Sequence, residues 1–292
     1  MNSGVTVTVD AAATCLSVTN NGILTFTTFG MTVAGPWINN GTVNVGTATV
    51  TFNSATAAIN AGTGNANFYT IATATTATTL TINTPVTVAG SLTLNGTAVS
   101  NTITIAGSNS ITVTGTTSIP RPTTSGVSTI AVGAGTLSTA TLTLSGTTNG
   151  RNTVVTVSTG TVTVTGNFTG AGTINPGGSV FTFTGAGTLN VGGTGTNAIP
   201  QSTTAWTFTP STGTVNFNGA NQTVGANTFN NLTFSGSGAK TIPTGTTTVN
   251  GIFSIENGAN ANTFTGTLAY GANATLQYNT SSARAVSTEW IT

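Results

Sequence analysis

The stretch TLTLSGTTNGRNTVVTVSTGTVTVTGNFTG (residues 141–170) decides the fold of this chain, because apolar residues recur in it at every second position. Alternation of leucine, valine or phenylalanine with threonine is typical of half-buried strands. Each run is short and stops at glycine or asparagine, which are residues that permit turns. The runs VTVTVD, TITIAG, FTFTG and WTFTP repeat the pattern elsewhere. The sequence therefore predicts an all-β protein.

The composition of the 292 residues points to a folded chain with an uncharged surface. Hydrophobic residues make up 37% and charged residues 2%, and the formal net charge is +1. An ordinary domain has about a quarter charged residues, and disordered chains combine low hydrophobicity with high net charge. Here the mean hydropathy is +0.24, so folding is the better interpretation. Hydroxyl and amide groups then keep the chain soluble, and the near-zero charge favours self-association.

Pairs of apolar residues recur along the chain at intervals of roughly 19 to 26 residues, a spacing typical of solenoids. In the middle and C-terminal parts they are Leu142/Leu144, Val162/Val164, Phe181/Phe183, Trp206/Phe208, Leu232/Phe234, Phe253/Ile255 and Leu276/Tyr278. We therefore predict a parallel β-solenoid with coils of roughly 20–25 residues, as one domain over residues 1–292. Its apolar residues stack inward, its threonine, serine and asparagine residues face outward, and glycine and asparagine turn the corners.

Two segments interrupt the pattern, and two other architectures compete with the solenoid. Residues 71–86 are predicted to be irregular, and residues 118–129, with Pro120 and Pro122, are predicted to form a loop or an excursion from one coil.

A row of immunoglobulin-like sandwiches is the second choice, but it needs boundaries about every hundred residues. An outer-membrane barrel is the third, but its aromatic girdles are not visible in the sequence.

The C-terminal third carries a more specific pattern. It reads GTVNFNGANQTVGANTFNNLTFSGSGAKTIPTGTTTVNGIFSIENGANANTFTGTLAYGANATLQYN (residues 213–279). The order NQTV, TFNNLTFSGSG, VNG, FSI and ATLQY resembles repeats of very large secreted bacterial surface proteins. Those proteins are similar to adhesins with parallel β-helix stalks. The resemblance covers about a quarter of the chain. It implies an extracellular, structural or adhesive role and no catalytic residues.

The charged residues are too few and too dispersed for the common binding and catalytic sites. No basic stripe is present to neutralise phosphates, so we expect no nucleic-acid partner. The chain has no histidine and no pair of neighbouring acids, so we expect no enzyme activity, no metal site and no cofactor. The basic residues are Arg121, Arg151, Lys240 and Arg284, and the acidic residues are Asp10, Glu256 and Glu289. Lys240 is interpreted as a solvated turn charge, and the single Cys15 as a small buried hydrophobic residue.

The three tryptophans are assigned structural roles. Trp206 alternates with Phe208 and is expected in the core. Trp37 lies beside a turn and Trp290 near the end of the chain, so both are candidates for end-cap or assembly contacts. Stacking of a tryptophan on a sugar ring is the less favoured alternative.

Thr-x-Thr pairs provide a further functional hypothesis, because flat threonine arrays on solenoids can order water and bind ice. Examples are Thr141/Thr143, Thr161/Thr163, Thr182/Thr184 and Thr207/Thr209. In ice-binding solenoids such pairs recur at nearly constant spacing, whereas here the spacing drifts by several residues. Ice binding is therefore a secondary hypothesis.

The sequence thus predicts an extracellular structural protein of a microbial cell surface, a stalk, fibre or filament subunit that associates end to end with itself. The alternative is an adhesin-type module that binds cell-surface glycans or a substratum, or an ice-binding solenoid. The segment MNSGVTVTVD lacks the basic and apolar regions of a signal peptide, and no apolar run is long enough for a transmembrane helix. We interpret the chain as a mature segment or a piece of something longer.

Overall fold

The computed structural model describes residues 1–96, 100–123, 125–146, 151–170, 178–194, 198–201, 206–242, 244–256, 258–283 and 288–290. Over these residues the chain forms a parallel β-solenoid with no helix, and its stacked coils are about 23 residues apart. All strand pairs that the described residues form are parallel. The all-β prediction and the predicted solenoid architecture are confirmed, and both rival architectures are wrong.

The strands are short because each coil must turn two or three times. In chain order the first are β1 (Thr6–Val9), β2 (Ala13–Cys15), β3 (Val18–Asn20), β4 (Ile23–Phe26), β5 (Met31–Val33), β6 (Pro36–Asn39), β7 (Thr42–Asn44), β8 (Thr49–Phe52), β9 (Ala57–Asn60), β10 (Ala66–Phe68), β11 (Thr70–Thr73) and β12 (Thr78–Ile82). The middle strands are β13 (Val86–Val88), β14 (Leu92–Thr93), β15 (Asn101–Ile105), β16 (Ser110–Ile119), β17 (Gly126–Val132), β18 (Thr136–Leu144), β19 (Arg151–Val157), β20 (Thr161–Val164), β21 (Phe168–Gly170), β22 (Ser179–Phe183), β23 (Thr188–Val191) and β24 (Trp206–Thr209). The last are β25 (Thr214–Phe217), β26 (Gln222–Thr223), β27 (Thr228–Phe229), β28 (Asn231–Phe234), β29 (Ala239–Ile242), β30 (Thr246–Val249), β31 (Ile252–Glu256), β32 (Asn260–Phe264), β33 (Thr267–Tyr270) and β34 (Thr275–Asn279).

Successive strands belong to three faces, which we number in the order that the chain visits them. Face 1 contains β1, β4, β7, β10, β13, the first halves of β16 and β18, and then β20, β23, β25, β28, β31 and β34. Face 2 contains β2, β5, β8, β11, β14, the second halves of β16 and β18, β21, and then β26, β29 and β32. Face 3 contains β3, β6, β9, β12, β15, β17, β19, β22, β24, β27, β30 and β33.

The core is a set of apolar columns that run along the axis of the solenoid. On face 1, Val162 lies between Leu137 of the preceding coil and Leu189 of the following coil, and all three are fully buried. Each such side chain contributes about 1.5–3 kcal/mol by its burial. The sequence predicted which residues point inward. It placed Leu142, Val162 and Phe181 in one series of recurring positions, as if they stacked on one another. Leu142 and Phe181 lie on faces 2 and 3, because the pairs that follow one another in sequence occupy different sides of one coil.

Asparagine and glycine make the corner between faces 3 and 1, as predicted, and in two coils they form an Asn-Asn-Gly triplet, at residues 20–22 and 39–41. Asn20 and Asn39 point inward, and the Asn20 side-chain amide donates to the Asn39 side-chain oxygen at 2.7 Å. The next asparagine of each triplet points outward and repeats the contact, with Asn40 donating to Asn21 at 2.8 Å. Two parallel amide ladders therefore tie successive coils together at this corner.

The glycine of each triplet is required by the close approach of adjacent coils. A Cβ atom on Gly41 would overlap the carbonyl oxygen of Gly22 one coil earlier, and one on Gly64, which takes the same position in the next coil without an NNG triplet, would overlap that of Gly41. These atoms belong to backbone, which cannot move away as a flexible side chain can. The column therefore holds the coils at strand-pairing distance, about 4.8 Å.

The prediction that residues 71–86 are irregular is wrong, since they contain the end of β11 and all of β12. Two inward positions are occupied by the buried Thr73 and Thr78 instead of large apolar residues, which weakened the pattern in the sequence. Their hydroxyls are satisfied locally: Thr73 Oγ1 accepts from the Asn95 backbone at 2.8 Å, and Thr78 Oγ1 donates to the Thr76 carbonyl at 3.0 Å. The predicted loop over residues 118–129 is confirmed only in its middle, around Pro120 and Pro122, because residues 118–119 end β16 and residues 126–129 begin β17.

Candidate functional site

The outward rows of face 2 form an aligned array of small polar side chains. Thr49 pairs with Thr70, and Thr116 pairs with Thr141, in one row. The Thr70 and Ser91 hydroxyls, 3.5 Å apart, connect the neighbouring coils of that row. The second row, two residues further along each strand, is Thr14, Thr32, Thr51, Ala72, Thr93, Ser118, Thr143 and Thr169. Over these coils, face 2 therefore carries an aligned, uncharged double row of hydroxyl and methyl groups.

The Thr-x-Thr pairs that the sequence suggested as one array lie on three different faces. Thr141/Thr143 lies on face 2, Thr161/Thr163 on face 1 and Thr207/Thr209 on face 3. The number of residues between threonines of successive coils varies, but the threonines still align in the structure. The variation lies in the corners, which differ in length from coil to coil. Coil-to-coil hydrogen bonds join residues 17 apart at Asn231 and Thr214, and 27 apart at Asn190 and Thr163.

Face 1 carries an amide ladder in its later coils. The Asn190 amide donates to the Thr163 hydroxyl at 3.4 Å, and the Asn216 amide donates to the Asn190 side-chain oxygen at 3.1 Å. The Ser235 hydroxyl extends the ladder by donating to Asn216 at 2.7 Å. Because neutral amides can donate and accept in the same row, they can stack at this spacing without like-charge repulsion.

Lys240 is buried, which corrects the interpretation of a solvated turn charge. Its ammonium donates to three backbone carbonyls of a corner, those of Gly219 at 2.8 Å, Ala220 at 2.8 Å and Ser237 at 2.9 Å. Gln222, its register partner one coil earlier, binds carbonyls in the same manner. A long donor side chain at this corner thus gives turn carbonyls, such as those of Gly193 and Gly219, a hydrogen-bond partner. Sequence pattern alone does not reveal this inward orientation, because lysine most often lies in solvent.

Lys240 gives the stability of the chain an expected pH dependence. Burial lowers the pKa of the Lys240 ammonium from its ordinary 10.5 to about 8. Between these values the unfolded chain binds one proton more than the folded chain, so the free energy of unfolding rises with pH. We expect urea titrations to show this rise in the wild type and to lose it in Lys240→Met, which keeps the length of the side chain. Parallel pH profiles of the two proteins would contradict the assignment.

The acidic residues do not meet in one site. Asp10 is exposed in the first coil, whereas Glu256 accepts hydrogen bonds from Ser254 at 2.6 Å and from Asn279. Glu289 is buried at the C-terminal end. Within the described ranges, no three histidine, cysteine or acidic residues lie close enough together to hold a metal ion. Arg284 lies outside the described residues.

The N-terminal end of the solenoid leaves apolar surface exposed. β1, β2 and β3 are terminal strands of their sheets. Val7, an inward residue of β1, is 41% exposed, while Leu24 beneath it is 3% exposed. Cys15 is half-buried, with its Sγ atom 3.8 Å from Met31 Sδ, and burial raises the pKa of its thiol. A cavity of about 210 Å³ opens here between these residues and Val18.

At the C-terminal end, Glu289 folds back onto two tyrosines of the last strands. The Tyr270 hydroxyl donates to the Glu289 carbonyl at 2.8 Å, and the Tyr278 hydroxyl donates to Glu289 Oε1 at 2.9 Å. Burial is the main cause that raises the pKa of Tyr270 far above its ordinary value. Trp290 lies beside a cavity of about 170 Å³ that Tyr270 and Leu276 also line, and is 61% exposed. Residues 288–290 therefore pack against the last coil at Tyr270 and Tyr278.

Trp37 and Trp290, the two predicted assembly residues, lie in contrasting environments. Trp37 is fully buried, and its ring centre lies 6.4 Å from that of Phe26 on β4 and 5.0 Å from that of Phe68 on β10, two coils further along face 1. Trp206 is 3% exposed, as expected for a core residue. Of the three tryptophans, Trp290 alone presents its indole to solvent in the described chain.

The fold and its faces define the chain as a parallel β-solenoid repeat protein with sparsely charged polar faces. No protein-family model, curated protein or solved structure matches the chain. Among the described residues, none forms a helix of the length and apolarity that crossing a membrane requires.

Proposed function

We propose that the chain is an extracellular structural rod of a microbial cell surface, a stalk or fibre segment that associates with copies of itself. The observation that carries the proposal is the continuous stacking of parallel strands along one axis, with apolar columns inside and neutral polar rows outside. Backbone hydrogen bonds then run along the rod, which makes it stiff in the direction of load. The resemblance of residues 213–279 to surface-protein repeats supports the location.

Neutral faces suit a protein that is exposed to changing salt and pH. Charge–charge interactions are screened within about 8–10 Å at physiological ionic strength, and a surface with 2% charged residues contains few of them. We also propose that the rod has no catalytic role, because its acids are separated and it has no histidine to act as a base.

Labelling of intact cells tests the proposed location. An antibody raised against the purified chain should stain unpermeabilised cells of the source organism, and brief treatment of those cells with a protease should remove the staining. An antibody against a cytoplasmic protein is the control, and it should stain only permeabilised cells. Staining by the rod antibody only after permeabilisation would refute the extracellular role.

Ice binding is a second candidate, because the register aligns the threonine rows that look irregular in sequence. On face 2 the two rows lie about 6.6 Å apart, which is two residues along a strand. Neighbouring residues within one row lie about 4.8 Å apart, which is the distance between coils. Wild-type chain should inhibit ice recrystallisation, and Thr116→Tyr with Thr141→Tyr should remove the effect by breaking the flat surface. Asn216→Tyr on face 1 is the control. Inactive wild type would exclude this function.

Glycan binding by an adhesin-type module remains a prediction.

A further inference from the structure

We propose that four corners of the solenoid protect an exposed asparagine from deamidation, because each corner supplies a hydrogen-bond acceptor to the N–H of the glycine that follows. The protected side chains are Asn21, Asn40, Asn218 and Asn250. This protection goes beyond the proposed structural role, since it concerns a covalent modification of the chain and does not depend on where the rod is located.

An asparagine that is followed by glycine can modify itself without an enzyme. The backbone nitrogen of the glycine attacks the side-chain carbonyl carbon (Cγ), so that a Cγ–N bond forms and the Cγ–Nδ2 bond breaks. The proton of the glycine N–H passes to Nδ2, which leaves as ammonia. Water then opens the cyclic imide and gives aspartate or isoaspartate. Glycine favours this attack, because it has no side chain and a flexible backbone.

The chain contains several dipeptides of this type. The sequence has seven Asn-Gly dipeptides, and the structure describes both residues of five. In four of these five the asparagine is exposed, while the glycine is buried or partly buried. They are Asn21–Gly22, Asn40–Gly41, Asn218–Gly219 and Asn250–Gly251. Exposure leaves these side chains open to the reaction, so any protection must come from the attacking nitrogen.

In the two Asn-Asn-Gly corners, the inward asparagine engages the attacking nitrogen. The Gly22 N–H donates to Asn20 Oδ1 at 2.9 Å, and the Gly41 N–H donates to Asn39 Oδ1 at 3.3 Å. Both inward asparagines are buried, so water does not readily replace them as acceptors. Attack requires the nitrogen to lose its proton, and the hydrogen bond stabilises the protonated form. The bond must therefore break before the imide can form.

The other two corners reach the same result with different acceptors. The Gly219 N–H donates to Oε1 of the buried Gln222 at 2.9 Å. The Gly251 N–H donates to the Asn230 backbone carbonyl at 2.8 Å. The four corners therefore share the engaged N–H and not one sequence motif.

Deamidation would damage the corner in which it occurs. The Asn40 amide donates to Asn21 Oδ1 at 2.8 Å, and Asn40 Oδ1 accepts from the Thr63 backbone at 3.2 Å. A carboxylate at position 40 would place an acceptor opposite Asn21 Oδ1. Isoaspartate would lengthen the backbone beside Gly41, where adjacent coils leave no room even for a Cβ atom. Protection of Asn40 therefore preserves both the ladder and the neutral surface.

Asn95–Gly96 is the exception among the five dipeptides. The Gly96 carbonyl accepts from the Thr123 backbone at 2.6 Å, but the Gly96 N–H has no acceptor within the described ranges. During incubation of the folded chain we expect Asn95 to deamidate first, and the four protected asparagines about tenfold more slowly. Peptide mapping by mass spectrometry measures each site. Deamidation of any of the four before Asn95 would contradict the proposal.

Two substitutions of Asn39 separate its acceptor from the rest of its side chain. Asn39→Leu removes the acceptor of the Gly41 N–H, whereas Asn39→Asp keeps a side-chain oxygen there. Both variants lose the amide that donates to the Asn65 and Gly41 carbonyls. We expect Asn40 to deamidate about tenfold faster than in the wild type in Asn39→Leu, and close to the wild-type rate in Asn39→Asp. Equal rates at Asn40 in the two variants would overturn the proposal.

Asn218 and Asn250 are the internal controls in both variants. They lie many coils away from Asn39, and each coil of a solenoid contacts mainly its neighbours, so their rates should not change. Acceleration of all sites by one factor would show that unfolding controls the reaction, which would refute the role of the acceptor.

A second pair of variants at Gln222 applies if the Asn39 variants do not fold. Gln222→Met removes the acceptor of the Gly219 N–H, and Gln222→Glu keeps it. Lys240, the register partner one coil later, can balance the charge of the glutamate. Only Gln222→Met should accelerate deamidation at Asn218, again about tenfold. Circular dichroism confirms the fold, and an Asn218 rate that is the same in the two folded variants would rule the proposal out.

Discussion

Replacement of Trp37 by alanine is expected to lower the stability of the first coils by about 3–5 kcal/mol. The indole is fully buried between Phe26 and Phe68, so its removal leaves a cavity that the stacked coils on either side cannot fill. Because each coil of a solenoid contacts mainly its neighbours, the loss should be local. Amide hydrogen exchange should therefore accelerate in β3, β6 and β9 much more than in β28 and β31.

Trp37→Phe is the matched control for this prediction. The Trp37 Nε1 atom is buried and has no hydrogen-bond partner among the described residues. Phenylalanine removes this unsatisfied donor while it keeps most of the ring, so the two effects partly offset each other. We expect a loss of less than about 1.5 kcal/mol, the usual limit for a swap of similar volume. Equal losses for alanine and phenylalanine would show that the ring volume does not hold these coils together.

Replacement of Asn39 by leucine is expected to cost about 2–4 kcal/mol, because each buried polar group left unpaired costs about 1–3 kcal/mol. The Asn39 amide is buried and donates to the Asn65 carbonyl at 2.8 Å and the Gly41 carbonyl at 3.1 Å. Its side-chain oxygen accepts from Asn20 at 2.7 Å. Leucine satisfies none of these groups, although its volume is similar. Urea denaturation followed by circular dichroism measures the loss.

Asn40→Leu is the control in the same turn. Asn40 is exposed, and its side-chain hydrogen bonds, donated to Asn21 and accepted from the Thr63 backbone at 3.2 Å, compete with water, so its replacement should change the stability by less than about 1 kcal/mol. If both variants lose the same amount, the buried ladder is not the source of the stability of this corner.

The alternation of apolar and polar residues predicted where the strands lie, but it did not predict which strands stack on one another. Alternation identified Val162 and Phe181 as inward residues, and both are fully buried. It could not assign them to faces 1 and 3, because a face depends on how far the chain has turned since the previous corner. The same limit affected the threonine rows: Thr141 aligns with Thr116, whereas the sequence grouped it with Thr161.

Single residues that depart from the pattern were harder to interpret. Lys240 was expected in solvent, yet three carbonyls of neighbouring turns surround its ammonium. Residues 71–86 were expected to be irregular, yet Thr73 and Thr78 fill inward positions there. In both places, hydrogen bonds to a corner make an inward polar side chain stable, and neither composition nor periodicity records such a partner.

The sequence by itself determined the all-β class, the solenoid, the inward and outward residues and the near absence of charge. These properties are local, since they follow from alternation with a period of two and from the turn preferences of glycine and asparagine. The tertiary structure alone decided which residues stack on one another and which polar groups are buried, among them Lys240 at a corner and Glu289 beside Tyr278. Those properties depend on contacts between residues about one coil apart, and corner length, which varies along the chain, sets which residues meet.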